Sequence, residues 1–386
     1  MSKNVLFLTG TRADFGKLKP LMFAVEDEPG FNCRIFVTGM HTMAKYGYTV
    51  DEVYKSGFKD VHVYMNQILG EPMDLILANT IGGLSRYIHE HRTDMLIVHG
   101  DRVEALAGAI VGAINNILVA HIEGGEVSGT IDELIRHSVS KLSHVHFVSN
   151  EEAANRLIQM GENNESVFVI GSPDVDIMLS NNLPTLTEVR QRYDIGFEEY
   201  GIVLFHTVTT EKDDMFRQAN ELISALVKTN KKYVVIYPNN DDGNEHIFLA
   251  YDAIKEHPNF RLFPSLRFEY FLTLLKQAQF IIGNSSAGVR EAPIYGVPTI
   301  NLGSRQQNRV TSSSIINLPC ERAAIINAIN QVEFLLPIKQ CYHFGTGKST
   351  EEFLRVLRGE ETWKISKQKQ FIDATAMGKA RISKIS

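Results

Sequence analysis

Short apolar segments alternate with longer segments of helical periodicity along the whole chain, and this alternation constrains the fold more than any other feature. The first half predicts strands at residues 5–8, 34–37, 95–98, 117–121 and 144–148, and helices at residues 18–28, 73–91, 103–113 and 132–142. Strands that alternate with helices form βαβ units, which assemble into a parallel, doubly wound sheet. Several of these strands are apolar at successive positions, as expected when helices cover both faces of a sheet.

The second half repeats the architecture without repeating the sequence. It predicts strands at residues 202–205, 233–237, 261–263, 280–282 and 299–302, and helices at residues 216–227, 245–255, 270–278 and 289–295. The chain of 386 residues is long enough for two domains of about 100–200 residues each. We therefore predict an α/β protein of two doubly wound, Rossmann-like domains, residues 1–178 and 185–362, that face a central cleft.

Two segments fall outside these domains. Residues 172–184 carry two prolines and several turn formers, and we predict that they link the domains. The polar, basic tail at residues 363–386 is predicted either to form a helix that packs back on the N-terminal domain or to fray. Ligands of doubly wound sheets bind outside the carboxyl ends of the strands, so functional residues are expected in the loops that follow strands.

Composition excludes several classes of protein. Apolar residues make up 44% of the chain, which excludes a largely disordered protein. The balance of 39 Lys and Arg against 45 Asp and Glu gives a net charge of −6, which argues against nucleic acid or an anionic membrane surface as a partner. The sequence has no apolar run of the ~18–20 residues that span a bilayer and no signal-peptide core. The three scattered cysteines, Cys33, Cys320 and Cys341, argue against a disulfide framework, so we expect a cytoplasmic protein.

A metal site is not expected. His144 and His146 form an HxH pair on a predicted strand, but no carboxylate or cysteine beside them completes a ligand set, and the HExxH motif is absent. We therefore predict a structural role for these histidines and no metal.

The loops of the first half contain candidate functional residues. Arg12 and Asp14 follow the first strand in the segment GTRADFG, where Arg12 is either a donor for phosphate or an ordinary surface residue. Asp101 follows the strand at 95–98, where it either caps the next helix or faces the cleft.

The richest loop follows the strand at 117–121 and reads HIEGGEVSGTIDE. Thr130 and Glu133 fit a capping box. Glu123 follows the strand directly, so it is unlikely to cap a helix. In one interpretation, Asp101, Glu123 and Asp132 converge on a substrate as general acids and bases. In the other interpretation, the three carboxylates remain separate. Glu126 has no assignment.

The second half adds further candidates at strand ends. His206 and Asn239 follow its first two strands, and Arg305 follows the strand at 299–302. Ser285 and Ser286 lie in a turn of small residues before a predicted helix, where they either cap the helix or bind a phosphate at its positive end. Glu291 lies in that helix and is placed either to accept hydroxyl hydrogen bonds, for example from a ribose, or to face solvent.

These segments together resemble a known family. The strings occur in order along nearly the whole chain, and they are GTRADFG, VTGMH, HGDR, HIEGGEVSGTIDELIRH, FHTVTTE, YPN and GNSSAGVREAPIYGVPTINLGSRQ. They resemble the hydrolysing UDP-N-acetylglucosamine 2-epimerases of sialic acid biosynthesis, whose fold is glycosyltransferase-B-like. The related non-hydrolysing epimerases carry EAG followed by PEExNR, and the second of these strings is absent here.

The resemblance implies roles for named positions. Asp101, Glu123, Asp132 and His206 match catalytic residues. The substrate-binding candidates are Arg12, Asp14, His41 of VTGMH, Asn239, Ser285, Ser286, Glu291 and Arg305. The implied reaction removes the C2 proton of the sugar as UDP leaves C1, which gives a 2-acetamidoglucal. Water then adds, and the products are N-acetylmannosamine and UDP. Arg12, the Ser285–Ser286 turn and His206 are expected to stabilise the leaving diphosphate, and no cofactor is needed.

Three alternatives to this reaction remain open at this point. The same chemistry on UDP-2,4-diacetamido-2,4,6-trideoxyglucose, towards legionaminic acid, is one. A glycosyltransferase of the same fold is another, because fold alone does not fix function. A non-catalytic UDP-sugar-binding regulator is the third. The family also implies a homodimer or homotetramer.

Overall fold

A computed structural model describes residues 2–128, 131–306, 312–335 and 338–373. It contains two parallel β-sheets, each covered by helices. The predicted α/β class and the two doubly wound domains are therefore confirmed.

The first domain has a seven-stranded sheet in the order β3-β2-β1-β4-β5-β6-β7. Its strands are β1 Lys3–Thr9, β2 Phe31–Val37, β3 Val61–Val63, β4 Met95–His99, β5 Leu118–Ile122, β6 Val145–Val148 and β7 Val167–Val169. Its helices are α1 Arg12–Asp27, α2 Val50–Lys55, α3 Met73–Glu90, α4 Val103–Ile114, α5 Ile131–Leu142 and α6 Glu151–Gln159.

Helix α7, Pro173–Met178, and helix α8, Leu186–Tyr193, lead into the second domain. Its six-stranded sheet has the order β10-β9-β8-β11-β12-β13. The strands are β8 Gly201–Leu204, β9 Tyr233–Ile236, β10 Phe260–Phe263, β11 Phe280–Gly283, β12 Thr299–Leu302 and β13 Ile315–Leu318. The helices are α9 Met215–Thr229, α10 Asn244–Asp252, α11 Phe268–Gln277, α12 Ala292–Tyr295 and α13 Arg322–Gln331. Two further helices, α14 Ser349–Arg358 and α15 Glu360–Lys364, follow.

Both sheets reverse their strand order at one point, and that point positions the site. In the first sheet β1 lies between β2 and β4, and in the second sheet β8 lies between β9 and β11. A crevice forms where the order reverses, because the flanking loops diverge to opposite faces. The loops after β1 and β4 therefore face the loops after β8 and β11.

Local sequence explains where several helices begin. The Thr11 hydroxyl accepts a hydrogen bond from the Asp14 N–H at 3.1 Å, which caps α1. Thr185 and Glu188 form a capping box at α8. The predicted partner of Glu133, Thr130, lies outside the described residues. Glu133 instead accepts a hydrogen bond from the Ser128 N–H at 2.9 Å.

The segment predicted to be a linker, residues 172–184, contains helix α7. Pro173 occupies the first turn of α7, where proline is favoured because its missing N–H would have no helical partner. Val175 and Met178 of this helix are buried in the core of the second domain.

The chain returns to the first domain before the predicted tail. Helix α14 lies within the range predicted for the second domain, yet Phe353, Val356 and Leu357 are buried in the core of the first domain. Trp363 and Ile365 pack against the same core. Residues 366–373 contain no helix, so the helical alternative for the tail is wrong over this described part. The remainder of the tail, residues 374–386, lies outside the described residues.

Candidate active site at the domain cleft

A cavity of about 310 Å³ lies between the two domains at the reversal points of the sheets. Eleven of the twelve predicted site residues line it. They are Arg12, Asp14, Asp101, Glu123, Asp132, His206, Asn239, Ser285, Ser286, Glu291 and Arg305. Asp101, Glu123 and Asp132 thus line one cavity, and their role as general acids and bases stays a prediction.

Arg136 organises the carboxylates of the first domain. It follows Asp132 by four residues on α5, so the two side chains share one face of the helix. The guanidinium of Arg136 pairs with Asp101 and donates to the backbone carbonyl of Glu123 at 2.8 Å. It is 1% exposed, which makes this contact a fixed part of the loop structure. The capping alternative for Asp101 is wrong, because Arg102 occupies the N-cap position of α4.

Glu123 is buried and held from several sides. One carboxylate oxygen accepts hydrogen bonds from Ser172 and Arg290, and the other lies 3.3 Å from Nε2 of His99. Burial alone would raise the pKa of Glu123, but Arg290, Lys17 and His99 outweigh burial and hold that pKa well below its ordinary value. Glu123 is therefore ionised at neutral pH.

His99 lies between two carboxylates. Its Nδ1 is 3.2 Å from Asp14, and its Nε2 faces Glu123. Burial lowers the pKa of His99, but Glu123 and Asp14 raise it by more, to about 9. Asp14 is itself fixed, because it accepts hydrogen bonds from the Gly10 N–H at 2.8 Å and the Thr9 hydroxyl at 3.0 Å. His99 is thus a cation at neutral pH.

His206 is neutral in this site. Its Nδ1 accepts a hydrogen bond from the Asn239 N–H at 3.2 Å, which leaves the proton on Nε2. Burial, together with the positive charges of Arg305 and Arg102, holds the pKa of His206 well below 6.5. Asn284 fixes the backbone on either side, with bonds of 2.7 Å to the His206 N–H and 2.8 Å to its carbonyl. His206 therefore offers a neutral N–H donor rather than a positive charge.

Glu291 is buried rather than exposed to solvent. Its Oε1 pairs with Lys17 at 2.9 Å, and Lys17 also pairs with Asp174 at 3.1 Å. Its Oε2 is buried and has no hydrogen-bond partner among the residues that the structure describes. A buried, unpaired carboxylate oxygen that lines a cavity is a ready acceptor for a ligand hydroxyl.

The turn at Ser285 and Ser286 differs from the prediction. A short 3₁₀ turn, Ser286–Gly288, follows β11, and the α-helix after it contains only four residues. The Ser285 hydroxyl accepts a hydrogen bond from the Ala287 N–H at 3.3 Å, so the capping interpretation applies to that turn. No long helix with a strong dipole follows this turn, and both serines line the cavity.

Two further predicted residues have other partners. Arg12 donates to Ser265 and Glu52, each at 2.8 Å, so it joins the domains at the rim of the cavity. His41 is fully buried and does not line the cavity. Its ring bonds to Thr9 at 3.2 Å and Thr49 at 2.7 Å. The prediction that His41 contacts substrate is wrong, because its loop turns inward behind β1.

The sequence interpretation missed five basic residues that line the cavity, namely Lys17, His99, Arg102, Arg136 and Arg290. Two had a usable signal, since Arg136 lies one helical turn from Asp132 and Arg290 directly precedes Glu291. Among the described residues, no cluster of three or more His, Cys, Asp or Glu side chains is arranged to hold a metal ion. His146, of the HxH pair, bonds to Glu162 at 3.0 Å.

Comparison with known proteins identifies the family. The family model described as UDP-N-acetylglucosamine 2-epimerase matches residues 24–358. The chain belongs to this epimerase family. Within the described part of the chain, no helix is both long and apolar enough to cross a membrane.

Relatives and structures in the epimerase family agree with this assignment. A UDP-N-acetylglucosamine 2-epimerase of Neisseria meningitidis serogroup B is 50% identical over 96% of this chain and 99% of its own. A hydrolysing UDP-N,N'-diacetylbacillosamine 2-epimerase of Legionella pneumophila is 33% identical, over 93% of this chain and 96% of its own. The crystal structure of another Neisseria meningitidis UDP-GlcNAc 2-epimerase, bound to UDP-GlcNAc, superposes with a TM-score of 0.77. That alignment has 19% identity and covers 92% of this chain and 99% of the other, so it supports the fold.

Proposed function

We propose that this protein is a hydrolysing UDP-N-acetylglucosamine 2-epimerase that releases N-acetylmannosamine and UDP. One observation carries the proposal. Three carboxylates from the first domain, Asp101, Glu123 and Asp132, share a single cavity with His206 and the Ser285–Glu291 segment of the second domain. A reaction that breaks a sugar–diphosphate bond and moves protons at the neighbouring carbon needs both halves of such a site.

The second domain is suited to the nucleotide. The hydroxyl groups of Ser285 and Ser286 and the Nε2–H of neutral His206 are donors for diphosphate oxygens. Glu291 offers its unpaired Oε2 to a ribose hydroxyl. A neutral donor stabilises the charge that develops on a leaving phosphate without needing to titrate during turnover. Arg305 adds a cation at the same end of the cavity.

The first domain is suited to the sugar. A carboxylate removes the C2 proton while the C1–O bond breaks, the C1–C2 double bond forms, and UDP leaves with the bonding electrons. Water then adds its oxygen to C1 and a proton returns to C2 from the opposite face. We assign these proton transfers to Asp101 and Asp132, because both carboxylate oxygens of Glu123 are already engaged by Ser172, Arg290 and His99. Glu123 instead is proposed to supply a fixed negative charge between Asp101 and Asp132.

The identity of the sugar rests on the two relatives. Identity of 50% to the UDP-N-acetylglucosamine enzyme exceeds the 33% identity to the UDP-N,N'-diacetylbacillosamine enzyme, and both matches cover nearly the full chain. This difference favours N-acetylglucosamine over the diacetamido sugar. We also propose that the protein is cytoplasmic and forms a homodimer or homotetramer. Light scattering of the purified protein tests the oligomeric state.

A solvent-exchange experiment tests the elimination–hydration route. The protein is incubated with UDP-N-acetylglucosamine in D2O without any acceptor, and the products are followed by NMR. We expect UDP and N-acetylmannosamine that carries deuterium at C2. Product without deuterium at C2 contradicts the route. UDP release that depends on an added acceptor supports a glycosyltransferase instead.

A further inference from the structure

Arg290 is a second-domain cation buried inside the carboxylate loop of the first domain. Its guanidinium is 1% exposed and pairs with both Glu123 and Glu126. It also donates to the hydroxyl of Ser172, at the start of the segment that joins the domains. The guanidinium lies 4.5 Å from the ring centroid of Phe344, a cation–π contact.

The loop that Arg290 enters is conformationally demanding. Glu123 has a φ of +64°, a left-handed conformation that non-glycine side chains rarely adopt. Gly125 also has a positive φ, of +74°, and a Cβ there would collide with the carbonyl of Ala153. A backbone of this kind persists only where the surroundings hold it. Arg136 holds the carbonyl of Glu123, and Arg290 holds its side chain.

Glu126 explains why the contact needs an arginine. It is 3% exposed, accepts a hydrogen bond from Ser149 at 2.9 Å, and binds the second terminal nitrogen of Arg290. A planar fork can hold two carboxylates in a fixed relative position, which an ammonium cannot do. Without the fork, Glu123 and Glu126 are two buried like charges in one loop.

Several other charges face Glu123 as well. His99 of β4 contacts its second oxygen, and Lys17 of α1 and Arg136 of α5 lie on neighbouring elements. Asp174 of α7 approaches Arg290 at 3.8 Å. Among these cations, Arg290 lowers the pKa of Glu123 the most.

We propose that Arg290 is a positioning residue, which fixes Glu123 as an oriented anion by pairing it with Glu126, so that the second domain completes the catalytic loop of the first. The inference rests on the proposed function, since the part of Glu123 in turnover is itself proposed. It gives Glu126 a role as the anchor of the fork.

The test compares Arg290→Gln and Arg290→Lys with Glu126→Gln. Removal of the positive charge in Arg290→Gln is expected to move the acid limb of the kcat profile upward by about one pH unit or more, because an opposite charge at this distance shifts a carboxyl pKa by about 1–3 units. Arg290→Lys keeps the charge and loses the fork, so kcat falls at least about tenfold with a smaller movement of the limb. Glu126→Gln leaves Glu123 paired, so the limb does not move upward. Arg217→Gln removes an exposed second-domain guanidinium that pairs with Asp214 of its own domain, and is expected to leave the profile unchanged.

If Arg290→Gln does not fold, the double variant Arg290→Gln/Glu126→Gln replaces it in the test. The double variant removes the two opposite charges together. It is expected to fold and to show the same direction of movement as Arg290→Gln. An acid limb unchanged in Arg290→Gln or in the double variant overturns the proposal.

A second readout does not depend on turnover. The carboxyl carbon of Glu123, assigned through Glu123→Gln in protein labelled with [δ-13C]glutamate, is titrated by NMR. The wild-type carboxyl group is expected to stay ionised at pH 4, and the carboxyl group in Arg290→Gln is expected to titrate at higher pH. A wild type that releases no UDP defeats the proposed function alone, whereas equal titrations in wild type and variants defeat the positioning role alone.

Discussion

Arg305 of the second domain donates to the Asp132 carboxylate of the first domain at 2.8 Å, directly across the cleft. Asp132 lies in the first turn of α5, and Arg305 follows β12 and also approaches the Asn284 carbonyl at 3.4 Å. The pair joins the proposed proton-transfer end of the site to the proposed diphosphate end. Both partners line the cavity.

Removal of the Arg305 cation is expected to weaken nucleotide binding and turnover together. Arg305→Met loses one charged hydrogen bond to Asp132 and one cation at the diphosphate, and each such bond contributes about 1.5–3 kcal/mol. We expect UDP affinity and kcat/KM to fall about 10- to 100-fold. Calorimetric titration with UDP and steady-state kinetics measure the two effects. Arg322→Met changes an exposed arginine of the same domain and serves as the matched control; equal affinity in both variants contradicts the role of Arg305.

Loss of the Asp101 charge is expected to affect turnover and spare binding. Asp101→Asn keeps the shape of the side chain but removes the proposed acid–base group, and such groups contribute about 10²–10⁴-fold in rate. We expect kcat to fall by at least about 100-fold, with the Kd for UDP changed by less than about threefold, since the nucleotide end lies in the second domain. Full turnover by Asp101→Asn removes this residue from the site. Asp27→Asn, at an exposed position, is the control.

The buried neutral histidines make stability depend on pH. Burial lowers the pKa of His41 to about 4 and the pKa of His121 to about 3. Both remain unprotonated in the fold while they bind a proton in the unfolded chain below about pH 6.5. The unfolded state then binds more protons, so the free energy of unfolding falls as pH decreases from 6.5 towards 4, by at most about 1.4 kcal/mol per pH unit for each histidine.

His41→Gln isolates one of these contributions. Glutamine retains polar atoms for Thr9 and Thr49 but does not titrate. Urea unfolding at pH 7, 6 and 5 is expected to show a shallower loss of stability for His41→Gln than for wild type. The exposed His89, changed to Gln, should leave the slope unaltered. The same slope in His41→Gln and wild type is inconsistent with a neutral His41.

Lys369 joins the last described segment of the chain to the C-terminal end of helix α5. Its ammonium donates to the Ser143 carbonyl at 2.5 Å and the Lys141 carbonyl at 2.8 Å, and it pairs with Glu162 at 2.6 Å. Lys369→Met removes the donor that the Lys141 and Ser143 carbonyls share at the C-terminal end of α5, and one of the cations beside Glu162. We expect the free energy of unfolding to fall by about 1.5–3 kcal/mol. Lys367 is an exposed neighbour, and Lys367→Met should change the free energy of unfolding by less than about 0.5 kcal/mol. Equal effects of the two variants would show that the contacts of Lys369 do not stabilise the fold.

The long helices and most of the strands could be predicted from the sequence, whereas strands β3 and β7 and helix α7 could not. The strand at 95–98 and the helix at 73–91 appear as β4 and α3 almost unchanged, because burial on both faces of a strand and on one face of a helix leaves a clear pattern. The edge strands β3 and β7 have three residues each, too few to show alternation. Helix α7 was not predicted, because Pro173 was interpreted as part of a turn, and proline is common both in turns and at helix starts.

The site residues also divide into those that the sequence could predict and those that it could not. Polar residues directly after strands, such as Asp101 and His206, could be placed at the cleft because parallel strands end at one edge of their sheet. The partners of these residues could not be found in this way. Lys17 and Arg136 reach the cavity from within helices, and Arg290 reaches the first domain from the second. Contacts of this kind depend on how helices pack within a domain and on how the two domains pack, which no local pattern records.

The central claim is tested most directly by one assay of the purified protein with two substrates. UDP-N-acetylglucosamine and UDP-N,N'-diacetylbacillosamine are supplied separately, without acceptor, and the released sugar and nucleotide are identified by NMR. We predict release of UDP and N-acetylmannosamine from UDP-N-acetylglucosamine, with kcat/KM at least about tenfold higher than for the diacetamido sugar. Faster turnover of the diacetamido sugar, or binding of UDP-N-acetylglucosamine without any release of UDP, contradicts the account.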